Sequence, residues 1–491
     1  MTTSVGQSPD RPQGETGGSE IDATPFTLSG GPLDTGTARE VLSGRLSGSQ
    51  ATPPASPPAG GGGAKTGSAH PTKEGAEPPA GGASGAAPAH LSRYNTNKVS
   101  TSEENPRSDA ESATRQSRRN DRYENQRAVW DITTLKRVEK CGRATHGGLG
   151  DGRAALVMNT GTGVAHWSGF CFCGSIWACP VCSAKIRASR ADEIARAVAG
   201  HIVNGGNAWM ITLTARHKKW HDLEPLFDAV AKGFRKIISG APWAGAPKRG
   251  VKGEKHRLGV RGYIRSMEVT YGTRNGWHPH LHIVLLTQDE TADALMAAMA
   301  RWDAVWRREM KKKGFEPSKE HGTHWAHVKG GEQAGEYIAK VQEGKGHLGH
   351  EMARGDLKQG RLGTLAPFEL LTYFRKTGDL DVVPVWHEYE QGTHNRRAIT
   401  WSRGLRKELL EDEPEKTDEE VAAEEVGGDV WAVFPAETLR IIRRVPGLRA
   451  RLLDIAENGG FPDLIAELTR LHLEYEIGTG EIPADPADPG V

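Results

Sequence analysis

The stretch WHPHLHIVLLT, residues 277–287, combines a histidine at every second position with a run of apolar residues. Successive side chains of a β-strand point to opposite faces, so His278, His280 and His282 share one face while the residues between them turn to the core. Two imidazoles separated by one apolar residue can therefore meet on one metal ion. With 19 histidines in 491 residues, three in strict alternation arise by chance at roughly a few per cent. An exposed histidine-rich edge or a cluster of core histidines is the alternative.

The preceding strand supplies a carboxylate. GYIRSMEVTY, residues 262–271, has the pattern of a strand, and the turn-rich YGTRNG that follows favours a hairpin. Antiparallel pairing then brings Glu268 beside His280 or His282. Two histidines and one carboxylate with open positions suit a divalent cation such as Mg or Mn, which can polarise a phosphate oxygen. A plain surface carboxylate is the alternative for Glu268.

The segments around this hairpin alternate between strand and helix periodicity. Strand patterns are AWMITLTAR (208–216) and THWAHVK (323–329), and helix patterns are LEPLFDAVAKGFRKII (223–238), TADALMAAMARWDAVWRREMKKKG (291–314) and GEQAGEYIAKVQ (331–342). This order predicts an α+β fold with an antiparallel sheet.

All five cysteines fall between positions 141 and 182. Cys173, Cys179 and Cys182 lie in turn sequences of the kind that present thiolates to zinc, and Cys141 supplies the fourth ligand of a structural zinc site. Reduced, buried thiols are the alternative. Two further residues are candidate replacements for one of these ligands: Cys171 and His166.

A basic amphipathic helix is predicted directly after the cysteines, within residues 183–206. Lys185, Arg187 and Arg190 lie on it and are candidates for holding DNA phosphates. The alternative is a solvated charged face.

Composition limits the remaining possibilities. The 61 glycines and 28 prolines are too many for uniform packing, and residues 1–125 lack any periodic apolar face, which predicts a disordered tail. The net charge is only +1, but acids concentrate at 411–428 and bases in the middle of the chain, as a nucleic-acid partner requires. The N-terminus lacks a basic start with an apolar run, and no apolar stretch spans a membrane. We therefore expect a cytoplasmic protein without a membrane partner, where disulfides are disfavoured.

The motifs HPHLHIVLL and MITLTAR resemble, in the expected order, two motifs of the HUH endonucleases. The resemblance implies an HUH core, an antiparallel sheet with flanking helices related to the RNA-recognition fold, in which both motifs lie on adjacent central strands. Thr212 and Thr214 then point to one face, and neither need be catalytic.

The same resemblance assigns a nucleophile. Tyr337 follows the histidine strand by one long helix and one strand, as the third motif of HUH replication initiators does, and its phenolate can attack a phosphate and later leave. Lys340, one helical turn on, can lower the pKa of Tyr337 or hold the phosphate. Some plasmid initiators place a glutamate one turn before the tyrosine, where this chain has Gln333. A second strand transfer onto Tyr337 or an unidentified base therefore stays open.

Further segments, CGSIWACPVC, MARGDLKQGR, APFELL and WHEYEQGTHNRRAITWSRGLR, resemble replication initiators of actinobacterial rolling-circle plasmids over roughly residues 130 to 408. The resemblance implies nicking and rejoining of single-stranded plasmid origin DNA through a 5′-phosphotyrosine, with host helicase and polymerase as partners. An HUH transposase or relaxase, or a zinc-dependent DNA-binding repressor without nuclease activity, is the alternative. Oligomeric state stays open.

Together these patterns predict six regions. They are a disordered low-complexity tail (1–125), a cysteine-rich zinc module with a basic helix (126–204), an HUH nickase core (205–345), an appended segment packed on the core (346–410), an acidic linker (411–428) and a short helical C-terminal region with a disordered end (429–491).

Overall fold

The computed structural model describes most of the compact unit Ser100–Val491. The described ranges are 109–150, 152–317, 321–328, 364–410 and 413–482. Within them, none of the helices combines the length and apolar character that crossing a lipid bilayer requires.

The helices and strands follow one another in an α+β order. The first half contains α1 (Asp109–Ile132), α2 (Lys136–Lys140), β1 (Ala154–Asn159), β2 (Val164–Ser168), α3 (Pro180–Val203), β3 (Asn207–Thr214), α4 (Leu223–Ile237), α5 (Gly240–Ala244), β4 (Gly245–Ala246), a 3-10 turn (Pro247–Arg249), β5 (Val251–Lys252), α6 (Glu254–Arg257), β6 (Gly262–Gly272) and β7 (Gly276–Thr287). The second half contains α7 (Ala292–Lys312), β8 (Thr323–His327), β9 (Thr364–Leu365), α8 (Pro367–Thr377), α9 (Val382–Thr393), β10 (Ile399–Trp401), α10 (Leu405–Leu409), α11 (Asp418–Ala423), β11 (Gly428–Phe434), α12 (Ala436–Arg444), α13 (Leu448–Arg470), β12 (Glu476–Ile477) and β13 (Glu481–Ile482).

The main sheet has the strand order β10-β6-β7-β3-β8, with β9 paired to β6, and its ladders are antiparallel. One face is apolar along its length and is covered by α4 and α7, in the core that contains Leu213, Leu281, Trp302 and Trp306. The predicted α+β arrangement with an antiparallel sheet is confirmed.

The opposite face of the main sheet is divided. Helix α3 covers one half, where Ile194 and Val198 pack on Met210, Val284 and other apolar side chains of the strands. The other half carries polar side chains of β6 and β7. On this face both strands are apolar beside α3 and polar toward the hairpin turn that joins them. The fold therefore leaves a polar half-face available for chemistry.

A second sheet joins distant parts of the chain. Its strand order is β12-β11-β1-β2, with β13 also paired to β11. Strand β11 pairs with β1 from Ala154↔Phe434 to Met158↔Asp429, and α13 packs on this sheet through Leu452 and Leu464. The C-terminal region is therefore built into one sheet with residues of the predicted zinc module, which differs from the separate regions that the sequence predicts.

Two predicted boundaries also differ. Helix α1 begins at Asp109, well inside the predicted tail 1–125, and the side chains of Arg119 and Gln126 are buried. The predicted linker 411–428 contains α11, whose Val421 and Ala422 are buried in the main core. Polar composition predicts a disordered tail and an acidic linker at these positions, whereas ion pairs and a few apolar contacts hold both helices against the rest of the fold. Residues 1–108 lie outside the described ranges.

Candidate metal centres

The β6–β7 hairpin brings Glu268, His280 and His282 together. The register pairs Glu268 directly with His280, and Oε2 of Glu268 lies 2.9 Å from Nε2 of His280 and 3.1 Å from Nε2 of His282. The ligand atoms of all three lie within 4.8 Å of one another, and His282 and Glu268 are largely buried. The three predicted ligands thus form a group that can hold a metal ion.

The hydrogen bonds on the far side of each imidazole suit a cation. Nδ1 of His280 lies 3.4 Å from the carbonyl oxygen of His278, which can only accept, and Nδ1 of His282 lies 3.2 Å from Oγ1 of Thr212. When both Nδ1 atoms keep their protons, both Nε2 lone pairs face the Glu268 carboxylate without a proton between them. A cation relieves the repulsion between these three donors, so the residues present fit a bound metal ion.

The third histidine of the strand has a different environment. His278 stacks on His217 with ring centroids 4.4 Å apart. Burial, reinforced by the neighbouring His280 and His217, lowers the pKa of His278 to about 3. His278 is therefore neutral at physiological pH, and its ring lies beside that of His280.

The second cluster consists of four buried thiols. Sγ of Cys141 lies 3.6 Å from Sγ of both Cys179 and Cys182, and Sγ of Cys173 lies 3.7 Å from that of Cys182. Four sulfurs at about 2.3 Å from a zinc ion in a regular tetrahedron are separated by about 3.8 Å. The backbone N–H groups of Ser175 and Cys182 also point at the sulfurs of Cys173 and Cys179. This cluster can bind a structural zinc ion.

A buried arginine accompanies the thiols. The Arg449 guanidinium lies between the rings of Tyr123 and Phe170, at 4.5 and 5.1 Å from their centroids, and donates to Oε1 of Gln126 at 2.8 Å. Nε2 of Gln126 lies 3.6 Å from Sγ of Cys141 and 3.7 Å from Sγ of Cys179. No described carboxylate pairs with Arg449. A buried cation of this kind is stabilised by anionic neighbours, which fits thiolates on a metal ion.

A replication protein family model matches residues 164–433, more than half of the chain. The chain belongs to this family. The matched range includes the β6–β7 hairpin and three of the four clustered cysteines, whereas Cys141 and Arg449 lie outside it. No solved structure matches the chain.

Curated relatives of this replication protein agree with the family model. The chain is 36% identical to "Protein rep" of Streptomyces lividans over 339 residues, covering 56% of this chain and 73% of the relative. It is 28% identical to "Protein rep" of Bacillus amyloliquefaciens over 108 residues, covering 22% and 28%. A "Neomycin resistance protein" of Streptomyces cyanogenus is 34% identical over 181 residues, covering 31% and 41%. The resemblance to plasmid rolling-circle replication initiators is confirmed.

The two alternative zinc ligands of the replication protein lie outside the thiol cluster. The backbone of Cys171 bonds to Ala144 and Gly142. His166 is on β2, and its buried Nε2 has no hydrogen-bond partner among the described residues. The structure therefore brings together the first choice of ligands, Cys141 with the three later cysteines.

The three basic residues predicted for DNA contact face inward. Lys185 donates to the carbonyl oxygens of Ala422 and Glu424. Arg187 is buried over the ring of Trp177, at 5.5 Å from its centroid. Arg190 forms ion pairs with two carboxylates. These positions do not offer the exposed charges that the prediction requires, because α3 packs between the main sheet and the acidic segment around α11.

The predicted nucleophile lies outside the described residues, as do Lys340 and Gln333. Among the described tyrosines of the hairpin, Tyr263 and Tyr271 are an odd number of residues from Glu268 and so point to the opposite face of β6. Tyr389 is fully buried and donates to the carbonyl oxygen of Trp177. None of these three is placed to serve the Glu268–His280–His282 group.

Sequence reasoning missed Gln126, Arg449 and the role of Thr212 as a partner of His282. Gln126 lies 15 residues before Cys141 and Arg449 lies far beyond the last cysteine. Neither belongs to a motif, so only the fold shows that they contact the cluster. Thr212 was predicted on the correct face, and the register β3–β7 places it opposite His282.

Proposed function

We propose that this replication protein is a site-specific endonuclease and strand transferase with an HUH core. It nicks and rejoins single-stranded plasmid origin DNA through a 5′-phosphotyrosine formed on Tyr337. The observation that carries this proposal is the group Glu268, His280 and His282 on the polar half-face of the main sheet. Membership of the replication protein family favours an initiator over a transposase or relaxase, which use the same histidines.

The chemistry follows from the residues. The phenolic oxygen of Tyr337 attacks the scissile phosphorus in line, forming the tyrosine ester as the bond to the 3′ oxygen breaks, and the 3′ oxygen takes up a proton. When bound at the histidines, a divalent cation such as Mg or Mn stabilises charge on the phosphate oxygens. Lys340 holds the phosphate or lowers the pKa of Tyr337. Attack by a free 3′ hydroxyl reverses the step and closes the strand after host helicase and polymerase have acted.

The thiol cluster has a separate, structural role in this proposal. Four thiolates and one zinc ion carry a net charge of about −2, and the buried Arg449 offsets part of it through Gln126. A closed site of this kind contributes folding free energy on the order of ten kcal/mol and does no chemistry. A repressor without nuclease activity would need only this cluster, and the convergence of the three ligands on β6 and β7 favours the enzyme.

The test is covalent attachment of origin DNA. Single-stranded origin oligonucleotide, labelled at its 3′ end, is incubated with protein and Mn or Mg, and the adduct is followed by denaturing electrophoresis. Tyr337→Phe should bind DNA and metal yet form no adduct, because only the attacking oxygen is lost. Mass spectrometry of the unmodified protein should find the nucleotide on the peptide that contains Tyr337.

Matched controls separate chemistry from folding. Tyr373→Phe removes an exposed phenol that bonds to Asp379 and should leave the adduct intact. His280→Ala should abolish the adduct, whereas replacement of the exposed His256 should not. An adduct that persists in both Tyr337→Phe and His280→Ala would rule out the proposed centre.

A further inference from the structure

A cleft of about 940 Å³ opens beside the thiol cluster. Residues 173–178, which begin at Cys173 of the thiol cluster, form one wall. Residues 393–407, which include β10, form the second, and residues 415–419 form the third. Residues 135–138 also line the cleft, which is therefore framed by segments from four parts of the chain.

The lining is strongly basic. Nine lysines and arginines face four acidic residues in it: Lys136, Arg137, Arg190, Arg396, Arg397, Arg403, Arg406, Lys407 and Lys416 against Glu390, Glu415, Asp418 and Glu419. Three of the acids are engaged, since Glu390 accepts from Thr134, Asp418 pairs with Arg190 and Glu419 pairs with Arg137. The lining thus has an excess of positive charge that its own carboxylates do not neutralise.

Part of this charge is available to a ligand. Arg396 and Arg406 are held in ion pairs with carboxylates of helices packed behind them. Arg397, Arg403 and Lys407 are exposed, and no described carboxylate lies within ion-pair distance of any of them. Three unpaired bases on one wall of a cleft are a site for an anion with several charges, since guanidinium groups bind phosphate through paired hydrogen bonds.

The cleft adjoins the face that carries the histidines. Ile399 of β10 pairs with Ser266, and Ser266 pairs with His282. Two strand spacings separate β10 from β7, which is roughly 10 Å. By strand alternation, Ile399 and the half-buried Trp401 point to the same face as His282, and they lie where the apolar cluster under α3 meets the polar half of that face.

We infer that this cleft binds a single strand of DNA on its way to the Glu268–His280–His282 centre. The inference rests on the proposed function and adds the surface that holds its substrate. A cleft of about 940 Å³ matches the upper range of ligand sites and is too small for a duplex, whereas a basic groove with an aromatic ring is the usual surface for single strands. The thiol cluster also contributes to the shape of the groove, because the Cys173–Ala178 wall begins at one of its four cysteines.

The test compares two triple variants by fluorescence anisotropy with a labelled 20-nucleotide thymidine oligonucleotide at several salt concentrations. Arg397→Ala/Arg403→Ala/Lys407→Ala should weaken binding by about tenfold or more at low salt. Loss of three phosphate contacts should also reduce the slope of log affinity against log salt by about 2. The control Lys248→Ala/Arg249→Ala/Lys252→Ala removes as much exposed charge outside the cleft and should change neither quantity.

Zinc content and the thermal midpoint of both triple variants establish that they are folded. If the cleft variant loses zinc, the three single variants, each expected to lower the slope by about 0.7, replace it. Unchanged affinity and slope in a folded cleft variant overturn the inference. So does a loss confined to a duplex of the same length. Failure of the proposed function is distinct, since it would abolish the covalent adduct of the unmodified protein and leave the anisotropy difference intact.

Discussion

At the scale of single residues, Thr212 holds the ring of His282 with its other nitrogen, Nε2, toward the candidate metal site. Its hydroxyl lies 3.2 Å from Nδ1 of His282, and the neighbouring Thr214 instead donates to the carbonyl oxygen of His321. A hydrogen-bond partner on Nδ1 fixes the ring orientation of a ligand histidine, and loss of such partners lowers metal affinity by about 10- to 100-fold.

Thr212→Val should therefore weaken metal binding at the histidine centre while preserving shape. We expect the dissociation constant for Mn, measured by calorimetry on zinc-loaded protein, to rise about tenfold or more. Thr214→Val is the matched control and should leave that constant within about twofold, because its hydroxyl bonds to backbone. Equal effects of both variants would mean that Thr212 acts only by packing.

At the scale of elements, the thiol cluster ties α1, α3 and α13 together. Gln126 comes from α1, Cys182 from α3 and Arg449 from α13. Burial lowers the pKa of Arg449, and the thiols of Cys141 and Cys179 oppose this shift. Metal binding and the docking of α13 are therefore expected to support each other.

Arg449→Met should destabilise the zinc site without removing a ligand. The variant keeps an apolar stem between Tyr123 and Phe170 but leaves the cluster's negative charge without its buried counter-charge. We expect zinc transfer to a chromophoric chelator to be about tenfold faster or more than in the unmodified protein. Arg451→Met, which removes a more exposed arginine of the same helix paired with Glu467, should transfer zinc at the unmodified rate. Identical rates in both variants would assign Arg449 to packing alone.

Sequence patterns predicted the elements whose signal is local. The alternation in residues 277–287 and the turn before it predict both the hairpin and the pairing of Glu268 with His280, because strand register follows from a nearby turn. The cysteine spacing predicts three thiols of the cluster for the same reason. The sequence predicts a DNA surface at Lys185 and Arg190, whereas both contact residues 418–424. Charge alone does not tell a solvated helix face from one covered by a distant acidic segment.

At the scale of the whole molecule, largely buried ion pairs join α1 and α13, which lie near the two ends of the described chain. Arg119 of α1 donates to Oδ1 of Asp454 at 2.7 Å and to Oε1 of Glu457 at 2.6 Å, both on α13. The same Glu457 oxygen accepts from the backbone N–H of Ala165 on β2. One carboxylate therefore joins α1, the second sheet and α13.

Arg119→Met tests whether this junction holds the molecule together. It removes the ion-pair partner of Asp454 and one of the two arginines that pair with Glu457, which keeps Arg115. Leaving a largely buried carboxylate without its partner in this way costs about 3 kcal/mol of unfolding free energy. We expect urea unfolding to show a lower midpoint, with a first transition in which α13 and β11 detach, since they depend on this contact and the main sheet does not. Arg118→Met, on the exposed side of the same helix, should leave the midpoint unchanged. Addition of Glu457→Gln to Arg119→Met should restore part of the loss, because it removes one of the two carboxylate charges that only Arg115 then offsets. An additive further loss in the double variant would show that the network contributes hydrogen bonds to β2 and not charge balance.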